Sequence, residues 1–172
     1  DYRKLFENNR QLNVRLFAGA FLFNDTKQSD DFFSFALDRP TDYLFDYAYY
    51  GRSEDAGLFS QQLIEAEGGF KSNLEVAYAN SWMTTINAST NIWRWILIYA
   101  DAGLANNTNA GTKAVFDSGV RINLVQNYFE VYFPLYSSLG WEPGQDNYDQ
   151  KIRFKITLSP KTLLGLFTRE WY

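Results

Sequence analysis

The chain has 172 residues, about one domain's worth, and its 16 basic and 20 acidic side chains are scattered to give a net charge of −4. No basic stripe is present, so nucleic acid is not expected as a partner, and the absence of Cys and His removes disulfides, thiol nucleophiles and the commonest zinc ligands. No apolar run approaches the roughly 20 residues of a spanning helix, so the chain would enter a bilayer only as strands.

Aromatic residues make up 19% of the chain, more than a soluble core usually needs. In a membrane protein this excess would lie in the aromatic girdles at the two interfaces, where Tyr and Trp rings are favoured. A soluble β-sandwich with an aromatic core accounts for the same composition. Composition alone therefore leaves both classes open.

Apolar and polar residues alternate with period two along much of the chain, which predicts an antiparallel all-β protein. A polar lead-in precedes the first strand, and Pro40 ends the second, since proline cannot donate to a strand ladder. Gly68 and Gly69 interrupt the pattern in the middle, and Thr90-Asn91 is expected to be the turn of a hairpin. The strands are predicted at residues 12–23, 32–37, 43–51, 58–67, 70–78, 81–89, 92–104, 114–124, 128–136 and 151–158, with polar loops at 105–112 and 140–149.

The end of the chain changes period. Ser159 is a candidate N-cap and Pro160 stands at the first helical position, ahead of apolar residues at helical spacing. We therefore expect a β-barrel domain or barrel segment over residues 1–158 and a short amphipathic helix over 159–172. The helix could lie at a membrane interface, plug a barrel mouth or pack on a soluble core.

The alternation assigns each strand two faces, one apolar and one polar. If the strands form an up-and-down transmembrane barrel of about eight strands, or the C-terminal part of a larger one, the apolar face contacts lipid and the polar face lines the lumen. The lipid-facing residues are then Leu12, Val14, Leu16, Val120, Ile122, Leu124, Ile152, Phe154, Ile156 and Leu158. The lumen-lining residues are Arg15, Glu65, Asp117, Arg121, Asn123, Arg153 and Lys155, with Glu65 paired to a lumenal cation.

Four tryptophans are expected to contribute to an aromatic girdle: Trp82, Trp93, Trp95 and Trp141. The first three fall near the ends of the predicted hairpin. A sugar-stacking platform in a soluble lectin-like domain is the alternative interpretation, with Arg94 available for cation–π contact.

Catalytic and metal chemistry has little support in the sequence. Pairs of carboxylates occur, but adjacent acids in loops usually face solvent. Asp146, Asn147 and Asp149 offer oxygen ligands for calcium, although a solvated loop explains them as well. We therefore assign no catalytic residue, no metal and no cofactor to this chain.

Four stretches resemble a known family: residues 57–71, 116–124 (FDSGVRINL), 128–141 and, most specifically, 148–172 (YDQKIRFKITLSPKTLLGLFTREWY). They are similar to the C-terminal region of large Gram-negative, flavobacterial-type outer-membrane proteins with an aminopeptidase-N-like zinc metallopeptidase domain of the gluzincin class. The resemblance implies a transmembrane barrel, or part of one, attached to a peptidase domain earlier in the parent chain. Gluzincins carry the zinc motif H-E-x-x-H. Because this chain has no His, none of its residues can take over that role, and it is not expected to be an enzyme even if its parent is a zinc aminopeptidase.

The sequence thus predicts an outer-membrane β-barrel segment that serves as a membrane anchor or a transport or export barrel, within a larger metallopeptidase-like protein. Its expected partners are the lipid bilayer and either the peptidase part of the same protein or other outer-membrane proteins. The alternative is a soluble β-barrel that binds a small apolar or sugar ligand among its tryptophans. That alternative requires the apolar faces to point inward.

Overall fold

The computed structural model describes residues 1–6, 10–24, 33–38, 58–125 and 128–157. This part of the chain is built mainly from strands. They are β1 (Tyr2–Leu5), β2 (Gln11–Ala20), β3 (Phe35–Ala36), β4 (Tyr78–Ala79), β5 (Trp82–Asn91), β6 (Ile96–Asn107), β7 (Gly111–Val125), β8 (Phe129–Ser137), β9 (Gly140–Trp141) and β10 (Arg153–Ile156). Two 3-10 helices, Leu58–Gln61 and Glu142–Gly144, and one short helix, α1 (Tyr148–Lys151), complete the elements.

Eight of the strands form one antiparallel sheet in the order β1-β2-β5-β6-β7-β8-β10, with β9 also paired to β8. The strands β3 and β4 form a separate small sheet. The all-β antiparallel prediction is therefore confirmed. Within the described ranges the large sheet is open, with β1 and β10 at its two edges, so barrel closure stays a prediction.

The two faces of the sheet are unlike, and β6 shows this most clearly. Leu97, Tyr99 and Asp101 point to a covered face, whereas Ile96 and Ile98 point to the opposite, exposed face. Tyr99 is 4% exposed and its neighbour Ile98 is 40% exposed. The side of β6 that carries a carboxylate is thus buried, while its isoleucines are open.

Residues 58–77 lie against the covered face, and the two strands predicted there are wrong. A 3-10 helix opens this stretch, and apart from an isolated parallel bridge between Gln62 and Phe154 the rest has no strand pairing before β4. We call residues 58–77 the inner segment. The Leu63 N–H donates to the Phe154 carbonyl at 2.7 Å, so the inner segment also touches the outer edge of β10.

Carboxylates of other elements take the place of ladder hydrogen bonds in the inner segment. The N–H groups of Lys71 and Ser72 donate to Asp117 at 2.7 Å each, and the Leu74 N–H donates to Asp38 at 2.9 Å. A buried backbone needs such partners whether or not it is a strand. The alternation at 70–78 therefore reflects side chains that pack onto the sheet from an irregular chain.

An apolar core lies between one end of the sheet and the inner segment. Phe70 and Leu74 from the inner segment meet Met83, Ala105 and Val115 from β5, β6 and β7. Leu37 and Ala79 complete the buried cluster, and Phe17, Phe35 and Val76 pack against it. The covered face is consequently apolar towards this end and ionic elsewhere, rather than uniformly polar as the alternation predicts.

Several boundaries differ from the predictions. The hairpin turn falls at residues 92–95, where the N–H groups of Ile92 and Trp93 donate to the Ile96 carbonyl, and not at Thr90-Asn91, which are in β5. The predicted loop at 105–112 is mostly strand, because only residues 108–110 form the turn between β6 and β7. The predictions at 43–51 and 159–172 lie outside the described residues.

The last strand begins later than predicted because a buried ion pair holds the chain before it. Lys151, which ends α1, lies 2.7 Å from the Glu142 carboxylate, and Glu142 also accepts a hydrogen bond from the Ser137 hydroxyl. Ile152, expected to face lipid, therefore precedes β10 as the residue that caps α1.

Gly119 is required where β7 and β8 approach most closely. The register shifts between Ser118 and Gly119, and a Cβ on Gly119 would lie 2.3 Å from the Phe133 carbonyl oxygen and 2.6 Å from the Tyr99 hydroxyl. We expect Gly119→Val to lower the free energy of unfolding by about 1–3 kcal/mol, because the neighbouring backbone of β8 cannot move aside without strain. Denaturant unfolding in detergent would measure it. Ala114→Val, on the exposed face of the same strand, should stay within about 0.5 kcal/mol, and equal effects would contradict the packing.

Candidate functional sites on the two faces

The exposed face is a continuous apolar surface formed by four or more neighbouring strands. Directly paired residues share a face, and the ladder joins Leu16 of β2 to Ile86, Ile86 to Ala102 and Ala102 to Phe116 of β7. Leu16 at the centre of β2 is 71% exposed. Other large apolar side chains exposed on this face are Ile86, Ile96, Ile98, Leu104, Phe116 and Leu124.

Most of the predicted lipid-facing residues share this surface. Leu12, Val14 and Leu16 point to it from β2. Ile122 of β7 shares this face because it pairs with Ile96, and Phe154 of β10 shares it through its pairing with Val131. The predicted residues found on this face are Leu12, Val14, Leu16, Val120, Ile122, Leu124, Phe154 and Ile156. Leu158 lies outside the described residues.

Three of the four tryptophans predicted for the girdle lie at the ends of the sheet. Trp93 and Trp95 are in the exposed turn between β5 and β6, whereas Trp82 begins β5 at the opposite end. Trp141 is in β9, where it pairs with Tyr136, the partner of Ser118 in the middle of β7. β5 spans about 30 Å at roughly 3.3 Å per residue, so Trp82 cannot share a stacking platform with Trp93 and Trp95. A strand of this length, tilted by about 40°, matches an apolar band about 25 Å tall.

A buried charge cluster lies at the centre of the covered face. The Lys71 ammonium of the inner segment is 2.8 Å from Asp101, whose side chain is completely buried. Asp101 and Asp117 are direct cross-strand partners on β6 and β7, so two carboxylates lie beside one ammonium. The N–H groups of Lys71 and Ser72 both donate to one oxygen of Asp117.

All seven predicted lumen-lining residues point to the covered face or lie on the inner segment. Arg121 is 3.7 Å from Glu130, and Lys155 is 2.6 Å from Glu65, the pairing expected for Glu65. Asp117 is described above, and Asn123 is the cross-strand partner of Glu130. Arg15 donates to the Asn87 amide oxygen at 3.2 Å, and Arg153 donates to the Ser60 carbonyl and to the Asn73 side chain.

Asp101, Tyr99 and Glu130 also point to this face and are not among the predicted site residues. Asp101 carries a usable signal, because it is the only charged residue in the twelve of β6, whose other members are mostly apolar. Tyr99 and Tyr132 give no such signal. Their rings pack at 5.8 Å, with Lys71 and Arg121 over the respective ring faces, a set of contacts that only the tertiary structure brings together.

Glu65 provides a test of the covered charges through pH. Burial raises the pKa of Glu65, but the Lys155 ammonium, with Lys71 and Arg15 farther away, outweighs burial, and the net pKa lies below its usual value. A lowered folded-state pKa gives stability that is present above the unfolded-state pKa and is lost as the pH falls through the folded-state value. Because the Glu65 side chain is 43% exposed, we expect its pH-dependent contribution to the free energy of unfolding to be no more than about 1 kcal/mol.

We therefore predict that the parent chain loses a small amount of stability when the pH falls below the usual glutamate pKa. In Glu65→Gln this loss should be absent. Unfolding free energies measured at neutral pH and at successively lower pH would show this as a flatter profile. Glu75→Gln is the matched control, since Glu75 forms an exposed pair with Lys113. A profile changed as much by Glu75→Gln would contradict the assignment.

Neither a metal site nor a membrane-spanning helix is found within the described ranges. No group of three or more Asp or Glu side chains there is arranged to hold a metal ion. Asn147, weighed above as an oxygen ligand for calcium against a solvated loop, has a left-handed backbone and caps α1. Of the helices described, none has the length and apolarity needed to cross a membrane.

Comparison with known proteins assigns no family to the chain. No family model, curated protein or solved structure matches it. The resemblance to the C-terminal region of gluzincin outer-membrane proteins therefore stays a prediction, and the two faces of the sheet carry the functional conclusion.

Proposed function

We propose that this chain is part of an outer-membrane β-barrel. The exposed apolar face contacts lipid acyl chains, and the covered face, with the inner segment packed on it, lies inside. One observation carries the proposal: the sheet is inverted relative to a soluble protein, with Asp101, Asp117 and Arg153 buried and Leu16 and Ile98 exposed.

Lipid is energetically favoured over water on the apolar face. Fully burying a Leu, Ile or Phe side chain is worth about 1.5–3 kcal/mol, and this face leaves many such side chains partly or largely exposed. Monomeric soluble proteins rarely expose contiguous apolar patches of more than a few hundred Å². Hydrocarbon removes this cost without any further protein contact.

The covered face supports the same proposal. Charged groups at membrane depth are tolerated when they face the interior of a bundle or barrel and pair with one another. Lys71 with Asp101, Lys155 with Glu65 and Arg121 with Glu130 meet that requirement. The soluble alternative needs the apolar faces turned inward, and the exposed Ile98 and Phe116 do not favour it.

The role we propose is that of a membrane anchor or a transport or export barrel. The free edge of β1, and the β10 edge beyond its bridge to Gln62, would pair with further strands, because an unpaired edge in hydrocarbon leaves backbone groups unsatisfied. Those strands belong either to the rest of the parent protein, for which the resemblance suggests a zinc peptidase domain, or to another outer-membrane protein. The lipid bilayer of the outer membrane is the principal partner.

Detergent dependence tests the proposal. We expect the purified chain to aggregate in buffer alone, to become monodisperse in detergent micelles, and to migrate differently on a gel before and after heating. The heat-modifiable band arises because a detergent-bound sheet resists unfolding until boiled. A chain that is folded and monodisperse without detergent would contradict the proposal.

A further inference from the structure

A cavity of about 330 Å³ lies between the covered face of the sheet and the inner segment. Arg15, Tyr99 and Arg121 line it from the sheet, and Glu65 and Lys71 line it from the inner segment. This volume is at the lower end of those that hold small organic ligands. The cavity is partly enclosed, and these five side chains lie on the covered side of the sheet, away from the proposed contact with lipid.

Some of the basic side chains around the cavity have no acidic partner. Five basic side chains line it, and three of them pair with carboxylates: Lys71 with Asp101, Lys155 with Glu65 and Arg121 with Glu130. Arg15 has no carboxylate within 4 Å in the described part of the chain, and its neutral partner is the Asn87 amide oxygen. An uncompensated guanidinium in a partly enclosed site favours an anion with planar oxygens.

Unused hydrogen-bond donors lie beside the same cavity. The Tyr99 hydroxyl and the Arg121 Nε are buried and have no hydrogen-bond partner among the described residues. A buried donor without a partner destabilises the protein, so a bound acceptor would recover that loss. Such a residual need for acceptors, next to the Arg15 guanidinium, points to an oxyanion.

Gly69 keeps the cavity open for Arg15. Its φ is +73°, and a Cβ there would lie 2.5 Å from the Arg15 Nη1 atom. Any other residue would push the guanidinium away from this position.

We propose that this cavity binds a small oxyanion, the carboxylate or phosphate group of an organic ligand, with Arg15 as its counter-ion and the Tyr99 hydroxyl as a hydrogen-bond donor. The ligand is limited to roughly the volume of ten waters, at about 30 Å³ each. The proposal is independent of what covers the apolar face, because the side chains of these donors point to the opposite face of the sheet.

The test is titration of the full chain, folded in detergent micelles, with inorganic phosphate in one arm and succinate in the other, followed by calorimetry. We expect saturable binding in at least one arm, and the arm that binds identifies the group. Arg15→Gln and Tyr99→Phe should each weaken binding roughly tenfold or more, since each removes a hydrogen bond to a charged group. Lys113→Gln, which removes one exposed cation that does not line the cavity, should leave binding unchanged.

Thermal unfolding without ligand separates binding from folding. Tyr99→Phe removes a hydroxyl that has no partner, so its unliganded midpoint should equal or exceed that of the parent chain. Absence of saturable binding in both arms would overturn the proposal, as would equal weakening by Lys113→Gln. Whether the chain aggregates without detergent tests only the proposed contact with lipid and does not bear on anion binding.

Discussion

Replacing Lys71 by methionine should lower the free energy of unfolding by about 3–5 kcal/mol, the cost of leaving a buried charge uncompensated. The Lys71 side chain is 13% exposed and its ammonium lies 2.8 Å from the fully buried Asp101 carboxylate. Asp117 stands directly opposite Asp101 in the ladder, so the variant leaves two facing carboxylates without their cation. Methionine retains most of the apolar stem, which limits the change to the charge. Denaturant unfolding in detergent micelles would measure the loss.

Two further variants show whether the loss is electrostatic. Lys113→Met removes a cation whose pair with Glu75 is exposed, and it should cost no more than about 1 kcal/mol. Adding Asp101→Asn to Lys71→Met should restore much of the lost stability, because one of the two carboxylates becomes neutral. If Lys71→Met costs no more than Lys113→Met, the account of the covered face is wrong.

Replacing Leu16 by arginine should cost about 2–4 kcal/mol when the protein is folded in a bilayer, the range for a cation at the midplane of a barrel's lipid face. Leu16 is at the middle of β2 and points to the exposed face. In water the same change would be almost silent, because a leucine that is 71% exposed gives up little burial. The two environments thus predict opposite outcomes for one substitution. Equilibrium folding into lipid vesicles would measure it.

Leu22→Arg is the matched control for the bilayer experiment. Leu22 is also an exposed leucine, but it lies two residues beyond the end of β2, past the pair of Ala20 with Trp82, where a cation at the membrane interface costs about 0–1 kcal/mol. A small and equal effect of the two substitutions in vesicles would count against contact between β2 and lipid.

Period two in the sequence predicts the long strands well. β2, β5, β6, β7 and β8 all fall within a few residues of their predicted ranges, because paired, half-covered strands impose alternation directly on the chain. The sorting of Leu16 from Arg15 and of Ile122 from Arg121 onto opposite faces follows from the same geometry.

The inner segment could not be predicted in this way. Its backbone donors are satisfied by Asp38 and Asp117, and no local pattern reveals such distant partners. Its apolar side chains alternate as a strand's would, yet Gly68 and Gly69 bring the chain so close to Leu37 and Arg15 that no strand neighbour fits. The cavity depends on the same tertiary contacts, so the sequence predicts the type of its charges but not their arrangement.

Oxygen and nickel-chelate accessibility along β6 tests the orientation of the sheet most directly. The chain has no cysteine, so spin labels can be attached singly through Ile98→Cys, Ala100→Cys, Ala102→Cys and Leu104→Cys, all on the exposed face, with Thr108→Cys in the turn as the aqueous reference. In vesicles we expect oxygen to reach the four strand positions and the chelate to be excluded from them, most strongly at Ala100 and Ala102. Chelate access at Ala100 equal to that at Thr108 would contradict contact between this face and lipid.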